Sequence, residues 1–248
     1  MALPARAHQL AHRFGVDLLN LRYADSDAFA RNQLLNSLRP SLVVDVGANT
    51  GQYASELRMA GYTGPILSIE PLDDAYQALV QRAAGDDSWQ CLQAALGAES
   101  TQSVIHVSAN SMSSSLATMS SEHLQAAPDS ATIREQSVTV RRFDELTELT
   151  ELTELVNSQR IFLKIDTQGF EEQVLAGIGD RWADLVGIQL ETSHLPLYDG
   201  AWLHPQVMAY FAERGWEPVF VERGFTDART GRVLQSDWTF APIGAVGV

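Results

Sequence analysis

Residues 42–51 read Leu42-Val43-Val44-Asp45-Val46-Gly47-Ala48-Asn49-Thr50-Gly51, and no other stretch constrains the fold as much. An apolar, β-branched run halts at a Gly-x-x-x-Gly loop, and helix-compatible sequence follows. A short run of this kind, ended by glycine, is a buried parallel strand that hands its carboxyl end to a turn. Open α/β sheets bind their ligands at that end of the strands. Asp45, two residues before Gly47, places negative charge at the cradle, which suits a cationic ligand better than a pyrophosphate.

The pattern recurs downstream. Residues 52–60 are helical and stop at Gly61; 66–69 form a second strand that ends at Glu70-Pro71; 73–83 are helical and 89–92 are a third strand. This βαβαβ rhythm predicts a doubly wound, mostly parallel sheet with right-handed crossovers. Residues 161–165, ended by Asp166, and 185–190, ended by Glu191, add two core strands, with helices at 170–176 and 204–214. Segments 103–107 and 137–140 are strand-like, and the Ser-, Ala- and Asn-rich stretch between them reads as a mobile or ligand-covering loop. Three tail segments, 216–221, 225–230 and 233–241, read as antiparallel strands turning at Gly224 and Gly231. The Leu-Thr-Glu repeat at 146–154 reads as a short surface helix, because leucines every three residues drift around a helix and hold no single face. Residues 1–40 form an N-terminal helical segment closed by Pro40, which either caps the site or mediates a homodimer. Residues 41–248 complete one globular unit.

Composition narrows the partners. The formal charge of −14 would repel a phosphate backbone, so no nucleic acid is expected. Cys91 is the single cysteine, which rules out an internal disulfide and a Cys-based zinc site, and its apolar neighbours make it a buried structural thiol. The sequence shows no secretory leader and no apolar run long enough to span a membrane, so the expected location is the cytoplasm.

Four acids, Asp45, Glu70, Asp166 and Glu191, fall at or near the ends of successive predicted strands, where a single ligand can meet all of them. A nicotinamide dinucleotide would call for Gly-x-Gly-x-x-Gly, and Asn49 stands where the second glycine belongs. A nucleoside triphosphate would call for a lysine after the last glycine, and Gln52 is there instead. S-adenosylmethionine fits better: it carries no phosphate, its sulfonium and ammonium are cationic, and Glu70 can accept both ribose hydroxyls. A nicotinamide-dependent oxidoreductase and a non-catalytic cofactor-binding module are the competing readings.

The motifs Asp45-Val46-Gly47-Ala48-Asn49-Thr50-Gly51-Gln52-Tyr53, Glu70-Pro71, Ala95-Leu96-Gly97, Ser113-Ser114-Ser115-Leu116, Leu163-Lys164-Ile165-Asp166-Thr167-Gln168-Gly169-Phe170-Glu171 and Gln189-Leu190-Glu191, followed by Pro196-Leu197-Tyr198, occur in this order. Together they resemble the FkbM family of S-adenosylmethionine-dependent O-methyltransferases. The resemblance covers about residues 40–240, with Thr167 where many members carry Val. It implies a class I methyltransferase (Rossmann-like) fold with seven strands, the last antiparallel. It also implies a cofactor site built from Asp45, Gly47, Ala48, Asn49, Gly51, Gln52, Tyr53, Glu70, Pro71, Ala94, Ala95, Ser114 and Asp166. The members it most resembles methylate sugar hydroxyls of glycolipids or polysaccharides; others act on macrolide or polyketide natural products.

A sugar hydroxyl is a weak nucleophile until a base or a metal acts on it. Asp166, Glu191 and His194, at or just past adjacent strand ends, are the catalytic candidates. In one version Asp166 and Glu191 hold Mg²⁺, whose preference for oxygen suits them, and His194 takes the proton. In the other no metal takes part, and Asp166 or His194 is the base. Lys164, two residues before Asp166, shares its strand face and pairs with it. Tyr198, Trp202 and His204 are the acceptor candidates: the aromatic rings either stack on the C–H face of a sugar or pack their loop onto the body.

Overall fold

In the computed structural model the described residues are 27–108, 132–148, 159–198 and 200–247. Helix α1 (Asp27–Leu38) leads into β1 (Leu42–Val46), α2 (Gln52–Met59), β2 (Ile66–Ile69), α3 (Asp73–Ala83) and β3 (Trp89–Leu92). Short β4 (Ala95–Leu96), long β5 (Thr101–Ser108) and β6 (Thr132–Arg141) follow, then β7 (Ile161–Ile165), α4 (Glu171–Ala176), β8 (Leu185–Ser193), α5 (His204–Glu213), β9 (Trp216–Arg223) and β10 (Gln235–Pro242). Seven strands form the main sheet in the order β3-β2-β1-β7-β8-β10-β9. β1 pairs in parallel with β2 and β7, and β8 in parallel with β7, whereas β10 runs antiparallel to both β8 and β9. The chain order therefore reverses direction at β1 and β7, and the crevice above that switch point is where an open α/β sheet binds its ligand.

Two apolar layers sandwich the sheet. On one face Val44, Leu163, Ile165, Ile188 and Leu190 meet Val174 and Leu175 of α4 and Val207 and Phe211 of α5. The Phe211 ring stacks on Phe240 at 4.0 Å and 4°. On the other face Val43 and Phe162 meet Leu34, Leu35 and Leu38 of α1 and Tyr53, Ala54 and Leu57 of α2. In α1 the buried stripe is Arg31, Leu34, Leu35 and Leu38, a helical spacing that draws a guanidinium in with the leucines.

The anticipated fold class holds, and so do the two strand-like segments; two details are corrected. Segments 103–107 and 137–140 are parts of the longer β5 and β6, which pair antiparallel and form a separate three-stranded sheet with β4. Segment 225–230 is no strand: only Thr226 bridges to Val233, and Asp227 instead ties a turn by accepting from the Arg229 amide and the Thr230 hydroxyl. The start of the Leu-Thr-Glu repeat lies in a 3₁₀ turn (Asp144–Glu148) whose Leu146 is wholly buried in the core, so it is not a surface helix there. Residues 149–158, the span 109–131 including Ser114, and 1–26 lie outside the described residues. Among those described, no helix is long and apolar enough to cross a membrane.

Candidate active site

A cleft of about 380 Å³ opens above the switch point, floored by the carboxyl ends of the parallel strands. Its two ends differ chemically. One is mostly apolar: Pro71, Leu72, Ala94, Ala95, Leu96 and Ile105 line it, with Glu70 at its inner edge. The other is crowded with carboxylates and amides, Asp166, Gln168, Gln189, Glu191, Glu222 and Asp237. The backbone turn Gly47-Ala48-Asn49 lies between them.

The turn is shaped by packing as much as by ligand access. A Cβ on Gly47 would lie 1.9 Å from the Asp166 carbonyl oxygen, and one on Gly51 would meet Leu79 and Trp89 side-chain atoms at 2.9 Å. Both glycines have positive φ, 74° and 85°, which L side chains resist. Gly47 thus lets the ends of β1 and β7 close on each other, and Gly51 seats the start of α2 against α3 and β3. The missing side chains of both glycines face protein. Gly51 does not line the cleft, and neither does Asp45, which is fully buried beneath it.

Glu70 ties this turn to the second strand. One carboxylate oxygen accepts the Asn49 amide at 2.8 Å and the other the Leu72 amide at 2.9 Å. Burial outweighs both bonds and pushes its pKa up to about 7.

At the acidic end, sheet register brings groups distant in sequence onto one face. Asp45 pairs with Lys164, Lys164 with Gln189, and Glu191 with Asp237, which in turn faces Glu222. The buried Lys164 ammonium lies 3.4 Å from Asp45 and 3.2 Å from Asp166, the second of these being the pairing expected from their spacing. Burial works to lower its pKa, but Asp166, Asp45 and Asp237 overcome that and raise it, so the lysine stays charged. Tyr53 donates to Gln189 at 2.9 Å, and Gln189 donates to Glu222 at 2.9 Å. Arg31 lies within 3.7 Å of Glu222 and bonds Glu56 at 2.8 Å, so α1 forms one wall of the cleft.

The turn after β7 holds the two central acids together. Gln168, in the left-handed region at φ 56°, donates from its amide to Asp166 at 2.6 Å and to Glu191 at 3.0 Å. The buried Tyr198 hydroxyl donates to the other end of the same amide. Glu171 fixes the turn from below by accepting the Thr167 and Gly169 amides, each at 3.1 Å. Gln235 donates a second bond to Glu191, at 2.6 Å. The Glu191 pKa lies well above the usual carboxylate value, first through burial and then through Asp166 and Asp237.

The structure thus brings Gly47, Ala48, Asn49, Gln52, Tyr53, Glu70, Pro71, Ala94, Ala95, Asp166 and Glu191 to one cleft. It does not bring His194, Trp202 or His204 there. Side chains alternate along a strand, and His194 stands three residues after Glu191, so it projects from the opposite face. There its Nε2 lies 2.8 Å from Ser236 Oγ, and its ring is 5.2 Å from that of His204. His204 in turn contacts Thr192 at 3.3 Å, and Trp202 packs on Tyr210 with ring centroids 4.8 Å apart. Tyr198 is 1% exposed, packs over Gly169 and bonds the Gln168 amide, and it does not line the cleft. Of the two readings offered for Tyr198 and Trp202, packing is the observed one. Cys91 is partly buried, and burial raises its pKa to about 11, as a structural thiol requires.

Magnesium does not fit the acids as they stand. Among the described residues no group of three or more His, Cys, Asp and Glu side chains is arranged to hold a metal ion. Asp166 is already bonded to an ammonium and an amide, Glu191 to two amides, and Lys164 would oppose a second cation beside Asp166.

The sequence matches the Methyltransferase FkbM domain over residues 45–218. The chain belongs to the FkbM methyltransferase family. It is therefore an S-adenosylmethionine-dependent methyltransferase on a class I fold, as its strand order shows independently. No curated protein matches it. Among solved structures it is similar to the magnesium protoporphyrin IX methyltransferase of Synechocystis PCC 6803, at 11% identity and TM-score 0.48, covering 98% of this chain and 86% of that one. It is also similar to an rRNA methylase from Streptococcus thermophilus, at 9% identity and TM-score 0.46, covering 89% and 98%. A ribosomal protein L11 methylase from Lactobacillus delbrueckii subsp. bulgaricus gives 13% identity and TM-score 0.40, covering 86% and 78%.

Several cleft residues escaped the sequence reading: Gln168, Gln189, Glu222, Asp237 and Arg31. Their signal was present as polar residues at alternate positions in otherwise apolar strands, Gln189 and Glu191 in β8, Gln235, Asp237 and Thr239 in β10. Such alternation ordinarily marks a solvated face, and only the three-dimensional fold shows that this one is roofed by α1 and α2.

Proposed function

We propose that this FkbM family member transfers a methyl group from S-adenosylmethionine to a hydroxyl of a carbohydrate acceptor, such as a glycolipid, polysaccharide or oligosaccharide. The observation that carries this reading is the division of the cleft into an apolar end edged by one carboxylate and an end crowded with hydroxyl-accepting carboxylates and amides. At the first end, Ala94, Ala95 and Leu72 would border the adenine and Glu70 would accept the ribose hydroxyls. The Gly47–Asn49 turn and Asp166 would take the amino-acid portion, whose ammonium suits a carboxylate. Bound there, the cofactor supplies an electrophilic methyl on a sulfonium.

The second end is built for a polyol. A saccharide presents several hydroxyls at once, and Glu191, Gln189, Glu222 and Asp237 offer acceptors on adjacent strands of one rigid sheet. Holding the hydroxyl in line with the methyl is one large source of the rate gain in such a transfer. With His194 on the other face, the proton must leave through a carboxylate of this row.

The experiment is twofold. Calorimetry should show S-adenosylmethionine binding, and radiolabelled methyl should pass to unmethylated oligosaccharides. Labelling of a macrolide aglycone with none of the oligosaccharides labelled would replace the acceptor class; no binding of the cofactor would sink the proposal at its base.

A further inference from the structure

The carboxylates of the cleft are not equally free to act. Glu70 accepts two backbone amides, Asp166 the Lys164 ammonium and the Gln168 amide, Glu191 the amides of Gln168 and Gln235, and Glu222 the Gln189 amide beside Arg31. Every bond donated to a carboxylate occupies a lone pair that an acceptor hydroxyl would otherwise use. Two carboxylates lining the cleft take no hydrogen bond among the described residues, Asp27 and Asp237; Asp27 is exposed at the start of α1, whereas Asp237 is half-buried on the sheet beside Glu191.

We propose that Asp237 is the base that takes the proton from the acceptor hydroxyl. The inference rests on the methyl transfer to a hydroxyl proposed above. Asp237 stands directly opposite Glu191 on the antiparallel β8–β10 pair and opposite Glu222 on β9. Side chains at such directly opposed positions lie close enough to act on one substrate group. As the O–H bond breaks, its proton passes to an Asp237 carboxylate oxygen. The hydroxyl oxygen forms its bond to the methyl carbon, and the electron pair of the broken S–C bond stays on sulfur. One positive charge on the donor and one negative charge on Asp237 are neutralised together, which balances the step.

The surroundings favour this role. Asp166 of the β7 turn, Glu222 of β9 and Glu191 of β8 face Asp237 with like charge, while Lys164 of β7 and Arg31 of α1 face it with opposite charge. Burial is the largest influence and, with Asp166, raises the Asp237 pKa to about 7. A base of that strength is ionised enough at neutral pH to act and strong enough to hold the proton.

The test uses the full chain, S-adenosylmethionine and a set of unmethylated oligosaccharides. Asp237→Asn, which matches the protonated shape, should lower kcat by about 10³-fold and leave calorimetric cofactor affinity within about threefold. Asp237→Glu should recover part of the rate. The wild-type rate should rise with pH through about 7, and that limb should be absent in Asp237→Asn. Carbon-13 NMR of aspartate-labelled protein should show a carboxyl titrating near that pH, missing from the variant. Undiminished transfer by Asp237→Asn, or titration of Asp237 in the ordinary carboxylate range, would overturn the assignment. Transfer to a polyketide hydroxyl alone, abolished in Asp237→Asn, would uphold Asp237 and defeat the carbohydrate reading. If no hydroxyl acceptor of either class is methylated, the transfer reading fails and the assignment of Asp237 falls with it.

Discussion

The two faces of the sheet at β7 and β8 are made by neighbouring residues of the same strands, yet they are chemically opposite. Leu163, Ile165, Ile188 and Leu190 look toward α4 and α5 into an aromatic core with Phe211, Phe240 and Trp216. Lys164, Asp166, Gln189 and Glu191 look the other way, into the cleft. A strand with one polar face usually turns that face to water. Here the polar face is covered: Gln189 is 3% exposed, Lys164 7% and Asp45 0%. Burying such groups destabilises a fold unless each finds a partner, and a hydrophobic replacement is often as stable or more so. The first face is therefore what holds the sheet together. The second is what the fold maintains at its own expense, and a buried charge row is best explained by the chemistry it performs.

The largest effects should come from cutting one group out of each face. Phe211→Ala removes a ring stacked on Phe240 and should cost about 3–5 kcal/mol in urea unfolding. Lys164→Met leaves the fully buried Asp45 without its cation and should cost a similar amount, about 3–5 kcal/mol. The contrast lies in the second pair of measurements. The Phe211→Ala protein that remains folded should keep its kcat, whereas Lys164→Met should also lose activity, because Lys164 holds Asp166 in place. Equal retention of kcat in both would break the distinction between the faces.

Glu70 gives a pH-dependent version of the same contrast. Its folded pKa is about 7 against an ordinary 4.5, so the folded chain binds a proton that the unfolded chain has already released. Its contribution is then fully present at low pH and falls as pH rises from about 4.5 through 7, by on the order of 3 kcal/mol. Chemical unfolding of the cofactor-free protein across that window should show this loss, and Glu70→Gln should flatten it. The same substitution should weaken S-adenosylmethionine binding by about tenfold, the scale of one hydrogen bond to a charged group. A pH slope that persists unchanged in Glu70→Gln would place its origin in other groups.

How far the sequence carried these conclusions depends on how local the information was. The strand at 42–46, its glycine turn and the acids at strand ends were legible because each is written within about ten residues and each has a period or a breaker to mark it. The pairing of Lys164 with Asp166 was legible for the same reason, since two residues apart on a strand means one face. Asp237 was not, because its meaning comes from a register with Glu191, 46 positions upstream, and from an antiparallel partner that residue patterns do not choose. Gly47 was legible as the breaker that ends its strand, not as a packing position. Its conformation was legible, but the carbonyl of Asp166 that forbids a side chain there is a tertiary contact.

The residue for which the two readings diverge most is His194, and it should give the smallest effect. From the sequence it was a catalytic candidate, three positions past Glu191. In the fold that odd offset turns it onto the aromatic face, where it bonds Ser236, whose hydroxyl also accepts the Trp238 indole N–H at 2.8 Å. Removing the imidazole deletes one side-chain hydrogen bond and should cost about 1 kcal/mol in stability. It touches no group of the cleft, so kcat for methyl transfer should stay within about twofold, far below the 10²–10⁴-fold typical of a lost general base. A His194→Ala protein that folds but transfers methyl a hundredfold more slowly would mean that this face moves during the reaction, and that the separation of the two faces does not survive substrate binding.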